Sequence, residues 1–281
     1  MNNYRMTIAY DGTRYSGWQK QGNTDNTIQG RIENSLSKLT KENIEIHGSG
    51  RTDAGVHALG QVANFKTNSS VTAKEVMYYL NQYLPQDIRI LSICETTSRF
   101  HARLNASSKH YQYRIDNAMV ANLFERKYLT RFTDKDYFYG LAKEQGKLCH
   151  IAVPNSAEHY TRPNQDGYID YDLAAMQQAA AMLKGEHDFK SFCDNKHMKK
   201  STLRNIHQIH IAEDKNHVIT FDYYGNGFLY HMVRILTGTL LEVGIGLKKP
   251  EEINTILQAL SRTAAGFTAP PQGLFLMEVE Y

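Results

Sequence analysis

The 281-residue sequence predicts an α+β fold. Two observations carry that reading: short strand-like runs that pair off as hairpins, and amphipathic helical stretches set between them rather than after each strand. In chain order, Tyr4–Tyr10 alternates as a strand, and a polar loop with Gly12, Gly17 and Gly22 follows. Ile28, Ile32, Leu36 and Leu39 recur at helical spacing, which predicts a helix over 27–39. Ile44–His47 and Gln61–Phe65 read as strands flanking a glycine-rich segment. Thr72 with Glu75 three positions later is a capping box opening a helix that runs to about Leu84. Ile88–Glu95 and Lys109–Asp116 are strands; in the second, Tyr111, Tyr113 and Ile115 share one face, while Gln112 and Arg114 share the other.

The second half repeats this style. Asp172–Lys184 is a helix ended by Gly185, and Ile206–Ala212 and Val218–Tyr224 are strands joined around Asp214–Asn216. Residues 229–243 form an apolar helix, and Pro250 opens another with Ile253, Ile256, Leu257 and Leu260 inward. Leu274–Val279 closes as a strand. The sequence divides into an N-terminal half, 1–115, and a C-terminal half, 116–281.

Bulk properties narrow the function. The formal charge of +3 neither requires nor excludes nucleic acid, so local clusters matter more: Arg99, Arg103, Lys109 and Arg114, and Lys196, Lys199, Lys200 and Arg204. Either group is able to meet phosphates, and either also fits a solvated face. Cys94, Cys149 and Cys193 are odd in number and far apart, with no Cys-x-x-Cys, which suits free thiols in a reducing cytoplasm. His207-x-x-His210 has no nearby cysteine, so no metal is expected. Neither a signal-type N-terminus nor a run long enough to span a membrane is present, so the reading is cytoplasmic.

The chemistry concentrates in Gly48-Ser-Gly-Arg-Thr-Asp-Ala-Gly-Val-His-Ala58. Small residues allow tight turns and close approach to a ligand. Asp53 follows a guanidinium, Arg51, suited to aiming the carboxylate and keeping it ionised. A phosphate-binding loop is excluded, because it needs glycine where Glu45 stands and lysine where Arg51 stands. The dinucleotide fingerprint fails too, since its third glycine falls on Asp53. What remains is either an ordinary turn tethered by Arg51 or a carboxylate presented on a loop.

The whole string closely resembles the signature loop of the tRNA pseudouridine synthase A family, in which this aspartate is catalytic. Further blocks follow in the family's order: Tyr10-Asp-Gly-Thr-Arg-Tyr-Ser-Gly-Trp-Gln19, Phe100-His-Ala-Arg103, Tyr111-Gln-Tyr113, Asp188-Phe-Lys-Ser-Phe192, His231-Met-Val-Arg234 with Gly238, and Gly273-Leu-Phe-Leu276. The resemblance implies a pseudouridine synthase-like fold, with two similar halves sharing a continuous, mainly antiparallel sheet around a central catalytic cleft. It implies isomerisation of uridine in the tRNA anticodon stem-loop at positions 38, 39 and 40, by a homodimer. Between about 127 and 168 the sequence departs from the family in a polar, insertion-like stretch.

By resemblance Asp53 is the nucleophile and Tyr111 stacks on the target uracil. Arg234 either pairs with Asp53, as the family implies, or forms a structural ion pair with another acid. Leu274 either packs against the base or belongs to the core. Tyr10, Trp18, His57 and Phe100 read as structural. The reaction oxidises and hydrolyses nothing overall, so it needs no redox cofactor, metal or ATP. Two rivals from other classes are a non-catalytic RNA-binding relative and a glycoside-type hydrolase. The first lacks a use for Asp53, Arg51 and Tyr111 together; the second usually wants two carboxylates, about 5–10 Å apart, where the loop offers one.

Overall fold

The computed structural model describes residues 1–132, 169–195 and 198–281. Of the insertion-like stretch, 133–168 lies outside the described residues, as do Cys149 and Lys196. Among the described residues there are ten strands and five α-helices, and the pairings are mainly antiparallel, so the fold is α+β as the sequence predicts. The chain forms two compact units: Met1–Tyr111 with Leu274–Tyr281, and Gln112–Gly273. Leu274–Tyr281, placed with the C-terminal half by the sequence division, belongs to the first unit.

In the first unit, β1 (Asn2–Tyr10) lies between β4 (Ile88–Thr96) and β3 (His57–Thr67), antiparallel to both. The other edge of β3 is shared. β2 (Ile46–Gly48) pairs antiparallel with its far end, and β10 (Leu274–Glu280) pairs parallel with its start, Phe275 opposite His57. The strand that follows the signature loop therefore begins at His57, four residues earlier than the alternation suggests. Parallel pairing with β10 adds those residues to the ladder, a tertiary contact that local alternation does not carry.

Helix α1 (Ile28–Thr40) starts where Thr27 accepts the Gly30 N–H, and buries Ile28, Ile32 and Leu36. Helix α2 (Ala73–Tyr83) has the expected capping box, Thr72 and Glu75 each satisfying the other's backbone N–H. The edge of β1 then pairs with β4, and β5 (Ser108–Asp116) begins in the first unit and ends in the second. Tyr111, Tyr113 and Ile115 are all buried, as their shared face requires.

In the second unit, β5 pairs parallel with the two-residue β6 (Thr130–Arg131). Helix α3 (Leu173–Met182) is capped by Asp172, whose carboxylate accepts the Ala175 N–H. It is followed by β7 (Gly185–Asp188), β8 (Leu203–Glu213) and β9 (Val218–Gly225), an antiparallel run with the hairpin turn expected at 214–216. Helix α4 (Met232–Gly244) starts three residues later than the apolar run suggests, because His231 adopts left-handed φ 60° and cannot be helical. Helix α5 (Glu252–Ala259) buries Ile253, Ile256 and Leu257. Leu260, expected inward with them, is instead the left-handed C-cap and is 42% exposed; the turn that stops the helix carries it off the apolar face.

Candidate active site

The signature loop joins β2 to β3, and its backbone is held along its length. The Ser49 N–H donates to the Val62 carbonyl (2.7 Å), which continues the ladder one residue past β2. Buried Gln61 clasps the same place twice: its Oε1 accepts the Ser49 hydroxyl (2.7 Å) and its Nε2 donates to the Gly50 carbonyl (3.0 Å). Lys109, just upstream of Tyr111 on β5, donates through Nζ to the Ser49 carbonyl (2.7 Å). A Cβ at Gly50 would come within 3.0 Å of that Nζ and 3.7 Å of the Tyr111 hydroxyl, so the absent side chain lets both reach the loop.

Thr52, next to the acid, is the most firmly tethered residue. Its hydroxyl shares a 2.8 Å hydrogen bond with the buried Tyr10 hydroxyl, and its carbonyl accepts the Trp18 N–H (3.0 Å). Gly17, at φ 94°, brings the preceding chain onto this carbonyl; a Cβ there would lie 2.7 Å from Thr52 O. Asp53 opens a tight turn, its carbonyl accepting the Val56 N–H (3.2 Å), and it is only half-buried. The loop thus immobilises its backbone on both sides of Asp53 while leaving that residue partly open. Preorganisation of this kind is what a reacting group needs.

Tyr111 is buried, 7% exposed. Burial first, then the nearby charges of Tyr10 and Asp53, push its hydroxyl well above the usual tyrosine range. Tyr111 therefore stands beside Asp53 electrostatically, and at neutral pH it is a neutral phenol, able to stack and donate a hydrogen bond but a poor base. Arg51 differs from expectation. Its side chain is exposed, and its Nε donates to Gln19 Oε1 (3.1 Å) at the head of a chain that runs from Gln19 through Gln29 to Glu33. Among the described residues Arg51 is matched to Gln19 and makes no ion pair with Asp53.

Leu274 is buried at the start of β10, one step before the Phe275–His57 pair, and so level with the end of the Asp53 turn. His57 is 1% exposed; its Nδ1 accepts the Gly12 N–H (3.1 Å) and lies 3.2 Å from Asp11 Oδ1, and its ring stacks on Phe275 at 4.7 Å. In the second unit, Arg234 holds Ala269 from two sides. Its Nε donates to the Ala269 carbonyl (2.6 Å), and its own carbonyl accepts the Ala269 N–H (3.1 Å). Residues missed by the sequence reading are Gln61, Lys109 as a loop clamp, and Tyr10 as the support of Thr52. Gln61 in a strand between apolar neighbours was the one signal available for a buried polar role.

Among the described residues no group of three or more His, Cys, Asp or Glu is placed to hold a metal ion. A family model described as tRNA pseudouridine synthase matches residues 6–105 and 179–281. Similar proteins match end to end. One from Bacillus sp. (strain KSM-64), named tRNA pseudouridine synthase A, is 43% identical with all of both chains covered. One from Bacillus cereus (strain ZK / E33L), named tRNA pseudouridine synthase A 2, is 40% identical, and one from Ruminiclostridium cellulolyticum, named tRNA pseudouridine synthase A, is 39% identical, each with the same complete coverage. The family model leaves Tyr111 and the 127–168 stretch unmatched, whereas these relatives match across both.

Proposed function

The chain belongs to the tRNA pseudouridine synthase family, an isomerase family, and from that premise we propose that it converts uridine to pseudouridine at positions 38, 39 and 40 of the tRNA anticodon stem-loop, with Asp53 as the nucleophile. The observation that carries this reading is the half-buried carboxylate of Asp53, on a loop pinned at Ser49, Gly50 and Thr52, within electrostatic reach of buried Tyr111.

The reaction breaks the bond from ribose C1′ to N1 of uracil and makes one from C1′ to C5. The proton on C5 leaves and N1 gains one, so substrate and product are isomers. A carboxylate serves this in one of three ways: by attacking C1′, by adding to the base, or by promoting loss of a sugar proton to give a glycal. Each needs the uridine turned out of its stack, and an aromatic plane such as Tyr111 is a natural seat for the exposed base. With its pKa raised, Tyr111 stacks and donates rather than abstracting the C5 proton unaided. Leu274 supplies an apolar surface beside the base. Arg234 supplies the cation that pairs with Asp53, and Arg51, turned outward, meets the RNA. The enzyme acts as a homodimer in the cytoplasm; among the described residues no helix is long and apolar enough to cross a membrane.

The test is pseudouridine formation on an unmodified tRNA transcript. Asp53→Ala loses roughly 10³-fold or more in kcat, the scale on which loss of a nucleophile is felt, while its circular dichroism and tRNA affinity stay near wild type. Tyr111→Phe retains more activity than Tyr111→Ala if stacking dominates. Full activity in Asp53→Ala would sink the assignment, and release of free uracil by the wild type would favour the hydrolase.

A further inference from the structure

A second cationic group stands apart from Asp53, at the foot of the same loop. His47, on β2, lies directly opposite Asn64 on β3, so the two share a face, and Lys66 follows two residues on along that face. Residues 97–107 are bolted over Asn64. Its Oδ1 accepts the Ala102 N–H (2.8 Å), while its Nδ2 donates to Asn3 Oδ1 (3.1 Å) and the Phe100 carbonyl (3.4 Å). Asn3 donates to the carbonyls of Thr97 (2.8 Å) and Phe100 (3.0 Å), and Tyr281 donates its hydroxyl to the Ala102 carbonyl (2.8 Å). Asn64 and Asn3 are 1% and 2% exposed, so this is a buried fastening and the loop above it is rigid.

That rigid loop presents His101 and Arg103. The His101 ring stacks on His47 with centroids 4.9 Å apart and planes at 21°. Its Nδ1 accepts the Arg103 N–H (3.1 Å), which leaves Nε2 as the free donor. His47, Lys66 and Arg103 are exposed. Among the described residues none of the four is in an ion pair. The charges His101 feels are all of one sign: after burial of its ring, His47 from β2, then Arg103 from its own loop and Lys66 from β3, keep it below the usual histidine range. Two stacked imidazoles, an ammonium and a guanidinium held together without an anion form an arrangement that an anion would relieve.

We propose that His47, Lys66, His101 and Arg103 form a preorganised site for backbone phosphates of the RNA substrate, at the upstream foot of the loop that carries Asp53. The site rests on the reading of the chain as a tRNA-modifying enzyme, and it adds a contact that fixes the approach of the RNA rather than the chemistry. His47 precedes Asp53 by six residues of pinned loop, so a phosphate held there would set the register of the strand that delivers the uridine. Binding has a proton signature. A phosphate beside His101 favours its charged form, so a proton is taken up on binding and affinity grows as pH falls through the histidine range.

The test uses the Asp53→Asn enzyme, to block turnover, and an unmodified tRNA transcript. Adding Lys66→Gln with Arg103→Gln weakens binding about tenfold near 0.1 M salt and flattens the plot of log affinity against log salt by about one unit per cation removed. Adding His47→Gln with His101→Gln removes the strengthening between about pH 7.5 and pH 5.5. With Asp53 restored, the Lys66→Gln/Arg103→Gln enzyme shows a raised KM and a retained kcat. Wild-type salt slope and affinity in the first pair, or unaltered pH dependence in the second, would overturn the site. These results are separable from the functional reading. A parent enzyme that binds tRNA but makes no pseudouridine refutes that reading and leaves the binding measurements to judge the site.

Discussion

The loop around Asp53 and the segment around Arg234 solve the same problem by different means. In the first unit, neutral groups hold the backbone beside Asp53, the Tyr10 hydroxyl, the Gln61 amide and the Trp18 N–H, and Lys109 Nζ adds a charged clamp. In the second unit the fastening is made by arginines on carbonyls. Arg234 grips Ala269, and Arg262 donates to the Gly266 carbonyl (2.8 Å) and the Thr268 hydroxyl (2.9 Å). His231, in its left-handed conformation just before α4, is hydrogen-bonded to Asp194 (3.0 Å). A mostly neutral frame leaves the field at a carboxylate to the groups that face it, whereas a frame of guanidinium–carbonyl bonds holds a cation in place by its own donors.

Both regions nevertheless contain glycines where two stretches of backbone meet, and that dependence gives the sharpest ways to break the comparison. Gly17→Ala shares the largest expected effect with Gly238→Ala. It forces a side chain into a φ of 94° and a Cβ to within 2.7 Å of the Thr52 carbonyl, at a cost of roughly 2–4 kcal/mol. Denaturant midpoint and kcat fall together. Gly238→Ala is as damaging. Its Cβ would overlap the Phe267 carbonyl oxygen and lie 2.9 Å from the carbonyl carbon, backbone that cannot turn aside, so even with the helix propensity that alanine regains the net cost is roughly 2–4 kcal/mol. Its mark is a loss in kcat larger than the stability change explains, because Ala269 lies two residues from the displaced carbonyl. Tyr10→Phe is the mildest. It leaves the buried Thr52 hydroxyl without its partner at about 1 kcal/mol, and lowers activity only a few-fold. Wild-type kinetics in Gly17→Ala would show that the loop is not held from that side.

Much of this frame is legible in the residues. The capping box at Thr72, the Asp172 cap, the α1 face and the shared face of Tyr111, Tyr113 and Ile115 all come from local rules of spacing and hydrogen bonding, which are satisfied within a few residues. The errors fall where a distant element decides. The start of β3 at His57 depends on β10, more than two hundred residues later. The expected grip of Arg51 on Asp53 depends on Gln19, which lies in the loop after β1 and offers the guanidinium a neutral acceptor. Leu260 is turned outward by a cap whose left-handed geometry leucine propensity does not announce. For the site, the sequence exposes the acid and the tyrosine but not the clamps, since Gln61 and Lys109 become clamps only through strands paired across the chain.

The pairing of β10 with β3 also bears on how the protein comes to be made. Synthesis runs from the first residue to the last, and residues 112–273 must leave the ribosome before Phe275 is able to lie beside His57. Until then His57 lacks the ring it stacks on, and the Ala102 carbonyl lacks the Tyr281 hydroxyl. The nascent chain therefore carries Asp53 in an unfinished setting until β10 has been made and has joined β3.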